Sequence, residues 1–413
     1  MPEAAQEQGG VIKDMTAEEA DAVKRQIALN LALSLREPEV REYLKKELLK
    51  QFGGDYEVLL SMHANDNITL AGSRVMAGKV SVKDILAGKY ANRLRRTNEY
   101  SIDDIEEILQ KMPLLQVAMP ELETADANRW DAKSLVPLVA YIPSKKEGDI
   151  IPAYDFEGNY YELSAKEEPK QPVIVISENE WTLALSKNDE AARCPEILRA
   201  SAYEDEHYVY VFRDKYEEAV IACGGGGVPP SGGGSTPPNQ PPVSNPSCPR
   251  EGRVGVYDFV GNTKFTNMTQ LRRVREWYDG KLELRTRIYY ADYQIGDVLE
   301  AASKSIRVPQ RYFTECKLLF TDCYTVWYNL NLRLERWDPQ HWGDRICIEW
   351  SEMDNDSEAA TTTHTFKLGP YTKTIQYTNG DDTMESAEVW YCDNVLGEGF
   401  LYSTGTFNFY IKQ

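Results

Sequence analysis

The chain has 413 residues, 42% of them hydrophobic and 27% charged, a globular composition whose length predicts two or three domains rather than one. The net charge is −19. Residues 1–222 hold 41 acidic and 27 basic side chains and the remainder 24 and 19, so neither part is basic and nucleic acid is excluded as a partner. No apolar run approaches the roughly 20 residues of a membrane helix, which excludes a transmembrane segment.

The opening MPEAAQEQGG is neither a signal peptide nor a transit peptide. A mature secreted protein carrying an added Met1 would begin this way, and so would a cytosolic one. Residues 1–12 are expected to be a disordered tail and 13–112 a helical region. Thr16 and Glu19 form a capping box, followed by an apolar stripe at Ala20, Val23, Ile27 and Leu31. Pro38 ends that helix or opens the next, and Gly53-Gly54 closes the second. Further helices are expected from Ser81 and from Ser101, with Asp104 completing a box. The cluster Arg93, Arg95, Arg96 falls at a helix end, where it complements the dipole.

Residues 113–222 predict a small β-rich region packed with the helices. Short apolar runs at 114–119, 136–142, 173–176 and 208–212 read as strands, and Phe156–Tyr160 as a hairpin turn. Residues 223–250 are a Gly/Pro linker that cannot pack a core. Its glycines follow no strand and precede no helix, so they are not a phosphate loop. Cys223 and Cys248 bracket it, either as a disulfide or as unrelated thiols. Seven cysteines without a CxxC pair suit disulfides in an oxidising compartment better than zinc, and an odd count leaves one thiol unpaired.

Residues 251–413 alternate aromatic and β-branched residues with turn chemistry at Asp279-Gly280, Asn379-Gly380 and Gly397–Gly399. The expected fold is therefore multidomain: an N-terminal α+β domain followed by a C-terminal antiparallel β-sandwich. The hexamers from Tyr154 and from Tyr257 echo one another and read as two similar hairpins. The strand from Arg345 runs into Ser351–Glu358, and a second acidic loop follows at Asn379–Asp382. Carboxylates on alternate positions of two loops suit a hard cation, so Asp354, Asp356, Asp381 and Asp382 are candidate calcium ligands. Solvated turns would use the same residues. An apolar strand feeding an Asp-rich loop resembles the calcium loops of C2-like sandwich domains, and that resemblance implies the same four ligands.

No HExxH, GxSxG or P-loop motif is present, so an enzyme is not the leading expectation. Trp327, Trp337, Trp342, Trp350 and Trp390 cluster in the second half. A sandwich core consumes most such rings, and any left exposed would mark a face for a glycan or protein ligand. The Pro-interrupted loop holding Trp337, His341 and Trp342 is the expected exposed tip. His341 beside Asp338 or Asp344 is also a candidate base.

A helical N-terminal region, the segment Gln171–Glu180, the Gly/Pro linker and a C-terminal sandwich together resemble uncharacterised surface lipoproteins of Gram-negative bacteria. That likeness transfers no activity. The expectation is an extracytoplasmic, secreted or outer-membrane-tethered binding protein. The alternatives are an extracytoplasmic hydrolase with its site in the N-terminal half, raised by a pocket of carboxylates or His207, and a secreted toxin or effector.

Overall fold

The computed structural model describes residues 15–71, 78–102, 104–122, 125–144, 149–223, 248–250, 253, 255–274, 277–278, 280–316, 323–353, 361–377 and 381–413. The capping chemistry sets the first helix, Ala17–Ser34. Glu19 N–H donates to the Thr16 hydroxyl (3.2 Å) and Thr16 N–H to the Glu19 carboxylate (2.9 Å). Pro38 is the first residue of the second helix, Pro38–Leu48, where its missing N–H costs nothing. Ser81 caps Val82–Leu86. Ser101 does not start a helix: its hydroxyl accepts from Asn92, and Asp104 instead caps Ile105–Lys111.

These helices cover one face of a six-stranded sheet. Its order is Glu57–Leu59, Leu115–Ala118, Val173–Glu178, Leu138–Tyr141, Ile150–Tyr154, Tyr160–Ser164. All pairs are antiparallel except Leu138–Tyr141 with Val173–Glu178. The predicted turn between the last two strands forms, with Gly158 at φ +84° and Asp155 accepting from Glu157 and Asn159 N–H. A three-stranded sheet, Tyr203–Glu204, Tyr208–Phe212 and Thr182–Ser186, follows with the helix Arg213–Ala222.

The C-terminal half is mostly strand. One antiparallel sheet, here the front sheet, orders Tyr328–Arg336, Tyr257–Phe265, Phe407–Lys412 and Phe400–Ser403. The other, the seam sheet, orders Asp297–Val308, Leu282–Asp292, Arg345–Glu352 and Asp382–Trp390. Alternate residues of both meet in one core, where Phe407 and Phe409 pack on Trp350 and Phe265 and Phe313 pack on Phe407. The arrangement is compatible with a β-sandwich.

Three expectations change. The echo at Tyr257 is not a second hairpin: Tyr257–Phe265 is one strand, and Gly261 lies where its register slips. Asp297–Val308, the longest strand of the sheet, mixes Val298, Ile306 and Val308 with Ala, Ser and charged residues, a weak β-propensity signal that was not singled out. Cys223 and Cys248 do not close the linker. Cys194 bonds Cys223 and Cys248 bonds Cys392, so each end of residues 224–247 is tied to its own side. Cys316 and Cys323 are ladder partners, and Cys323 is disulfide-bonded. Cys347 is the free, buried thiol among the described cysteines. No described helix is long and apolar enough to cross a membrane.

The two halves touch extensively. Trp277 and Tyr278 leave the second half and bury against Leu138, Ala140, Val173 and Val175, on the six-stranded sheet's other face. Trp277 Nε1 donates to Ser164 O (2.8 Å). Two such rings bury on the order of 150–250 Å² each, an apolar anchor between the halves.

Candidate functional site

Three regions hold unusual chemistry. The first is the outward face of the seam sheet, which is covered rather than exposed. Alternation puts Glu283, Arg285 and Arg287 on that face of Leu282–Asp292, opposite Arg307 and Ser305 on one neighbour and Ser351 and Glu349 on the other. Arg307 reaches into the N-terminal half. It grips both oxygens of Glu57 (2.9 and 3.1 Å), donates through Nε to Glu283 (2.5 Å) and lies 5.8 Å from the Trp181 ring centroid. Ser305 donates N–H and hydroxyl to Glu217 of the helix Arg213–Ala222 (2.9 and 2.6 Å). Gly280, at φ +84°, lets the chain pass Asp55, whose carboxylate a Cβ would approach to 2.7 Å. The next N–H, of Lys281, donates to that carboxylate.

Burial pushes the Glu283 carboxyl up to about 7 against the pull of Arg307, and raises Glu57 in the same way. Burial works against the Arg307 charge, yet Glu57, Glu283 and Asp55 hold its proton more tightly than usual.

Farther along the same face, the hairpin Thr362–Leu368 and Tyr371–Tyr377 covers Glu349. The Tyr377 hydroxyl donates to it at 2.6 Å, and burial pushes its carboxyl up to about 7. Perturbed carboxyls often mark active sites. Here Glu283 and Glu349 are both fully shielded from solvent. Their arrangement holds the covering elements in place.

The second region contains the sequence-predicted residues. Asp354 and Asp356 lie outside the described residues. Asp381 pairs with Arg285, and Asp382 opens a strand opposite Glu352. A cation at Asp381 therefore competes with a guanidinium already there. The Trp337–Trp342 loop is not an exposed aromatic tip. Trp337 is 4% exposed, packs edge-on to Tyr391 beneath Arg250, and donates Nε1 to Gly343 O. Pro339 starts a short helix, Pro339–Trp342, that turns Trp337 inward; Trp342 is half-buried near Tyr290, and His341 is exposed. Asp338 caps that helix through Gln340 N–H, and Asp344 pairs with Arg345. Neither aspartate orients His341 as a base.

In the N-terminal half His63 Nδ1 lies 2.9 Å from Asp66, which also accepts from the Tyr43 hydroxyl. The Tyr43 hydroxyl and the Glu47 carboxylate also approach the imidazole, at 3.4 and 3.8 Å. Cys194, Cys223 and Glu196 cluster closely enough for a metal, but the two sulfurs are spent in a disulfide.

The third region is the outward face of the front sheet. Trp327, 44% exposed, lies 5.4 Å from the Tyr410 ring, with Lys264 Nζ 5.9 Å from its centroid. Tyr410 stands opposite Leu401, itself 44% exposed, and Asn408 stands between Lys264 and Ser403. At the other end Arg333 and Lys412 flank Phe259, and Arg333 and Arg336 stack on Tyr257 (4.8 and 4.5 Å). Inward neighbours of these residues, Val260, Phe265, Phe409 and Ile411, fill the core. Alternation therefore leaves aromatic, amide and cationic groups facing out together. No described element covers them with an apolar cluster, unlike the seam sheet.

No family model, no curated protein and no solved structure matches the chain.

Proposed function

We propose that the chain is a two-domain binding protein of an extracytoplasmic compartment, an N-terminal α+β domain joined to a C-terminal β-sandwich, and that it takes its ligand on the outward face of the front sheet. The observation that carries this reading is Trp327, nearly half exposed beside Tyr410 on an uncovered sheet. Exposed indole and phenol rings offer large contact area at low ordering cost, and such rings are what partner sites use. The disulfides Cys194–Cys223 and Cys248–Cys392 support an oxidising location, where such bonds persist.

Affinity electrophoresis of the full chain through gels containing soluble polysaccharides tests the binding face. Retardation that Trp327→Ala and Tyr410→Ala together abolish is the expected result. Unchanged retardation in that variant, or none with any polysaccharide, defeats the assignment. Peptide mapping of the protein isolated under thiol-trapping conditions tests the compartment; trapped thiols at Cys194 and Cys248 would contradict it.

A further inference from the structure

The four strands of the front sheet carry four cations, Lys264, Arg333, Arg336 and Lys412, and two acids, Asp258 and Glu335. Both acids are already neutralised from outside the sheet. Asp258 is buried against Arg250 (2.9 Å), and Glu335 pairs with Lys304 of the seam sheet (2.7 Å). None of the four cations makes an ion pair among the described residues. In a chain of net charge −19 the strands of this sheet thus carry free positive charge.

We infer that this face binds an acidic polysaccharide, one whose sugars bear carboxylate or sulfate groups. The inference rests on the binding-face reading above and names its ligand class. Trp327 and Tyr410 supply ring faces for the apolar C–H side of a sugar. The amides of Asn408, Asn262 and Asn329, the latter two paired across the strands, pair with hydroxyls in both donor and acceptor roles. Lys264 and Lys412 take the anionic substituents as point charges. Arg333 and Arg336 lie on the Tyr257 ring, which leaves guanidinium edges free to grip a carboxylate.

The charge density selects against nucleic acid. Duplex DNA presents a charge about every 1.7 Å, which the remaining acidic surface repels. A polysaccharide with one anion per sugar or per disaccharide matches four dispersed cations.

Affinity electrophoresis with the full chain separates the outcomes. Probes are polygalacturonate and chondroitin sulfate as acidic polymers, dextran and xyloglucan as neutral ones, and duplex DNA as a polyanion without sugar faces. Selective retardation by an acidic polysaccharide is expected, weakened by added salt and lost in Trp327→Ala. Lys264→Ala with Lys412→Ala should raise the dissociation constant about tenfold, a change of about 1.4 kcal/mol. Both lysines are on the surface, and an unchanged melting temperature verifies folding. Retardation by neutral polymers alone, still dependent on Trp327, overturns the acidic class and keeps the binding face. Equal retention by DNA overturns it in favour of unselective polyanion binding. No retardation by any probe defeats both readings.

Discussion

Glu349 illustrates how a single buried side chain ties stability to pH. Its carboxyl is raised from the usual 4.5 to about 7 by burial, so the folded chain holds a proton that the unfolded chain releases. The sign follows: the stabilisation is complete below about pH 4.5 and is lost as the pH rises through about 7. Glu349→Gln keeps an acceptor for Tyr377 and removes the titration. The variant should melt above the parent at about pH 8 and show no gain at about pH 4.5, with a difference on the order of a few kcal/mol. Identical pH profiles in the two proteins would refute this origin.

Arg307 behaves oppositely, because it is the cation that two buried carboxylates share. Arg307→Met should cost about 3–5 kcal/mol in urea unfolding, and Arg307→Lys, which cannot span Glu57 and Glu283 with one planar fork, should recover only part. Cys347, its thiol pushed up to about 12 by burial, should resist alkylation in the native protein and react once unfolded, as peptide mapping can establish. A labelled native Cys347 would contradict its burial.

Among the elements, local chemistry explains most of what forms. Thr16 and Ser81 mark helix starts because each accepts an orphan N–H within one turn, and both were legible; Pro38, which has no N–H to satisfy, opens the second helix where the sequence left either end of a helix possible. The hexamer at Tyr257 misled because the same residues serve a turn at Gly158, where φ is positive, and a slipped strand at Gly261, where it is not. Asp297–Val308 was not singled out because Ala, Ser and charged residues separate its Val298, Ile306 and Val308, and pairing with Leu282–Asp292 completes it as a strand.

The disulfides belong to this scale. Cys248–Cys392 closes 144 residues and Cys194–Cys223 closes 29. In the chain-entropy view the longer loop stabilises more, by about 5 against about 3–4 kcal/mol. Cys248→Ser with Cys392→Ser should therefore lower the melting temperature more than Cys194→Ser with Cys223→Ser. The reverse order would point to enthalpic rather than entropic stabilisation.

At the scale of the whole molecule, residues 223–250 read from the sequence as a joint between independent parts. The two halves are in contact all the same: Trp277 and Tyr278 pack against one face of the six-stranded sheet, and Arg307 bridges to Glu57. A protease site inserted between residues 223 and 248 should yield two pieces that co-elute in gel filtration, and Arg307→Met should weaken that association. Fragments that separate at once would show the interface to be dispensable. Residues 251–413 made alone expose both rings and should aggregate more readily than the full chain.

What the sequence determined by itself was local or additive: helix starts, most strands, the linker's composition, the exclusion of a membrane helix and the odd thiol. That some aromatic rings would stay exposed was also anticipated. Which rings those are was decided by tertiary structure. Trp327 and Trp337 flank the same strand, Tyr328–Arg336, yet one turns into the core before a capped helix and the other stays exposed beside Tyr410. The same holds for Glu283 and Glu349, two of 65 acidic residues until another element covers the face they share. Burial and pairing between distant segments are not properties of any short stretch of chain, and the chemistry of these sites depends on both.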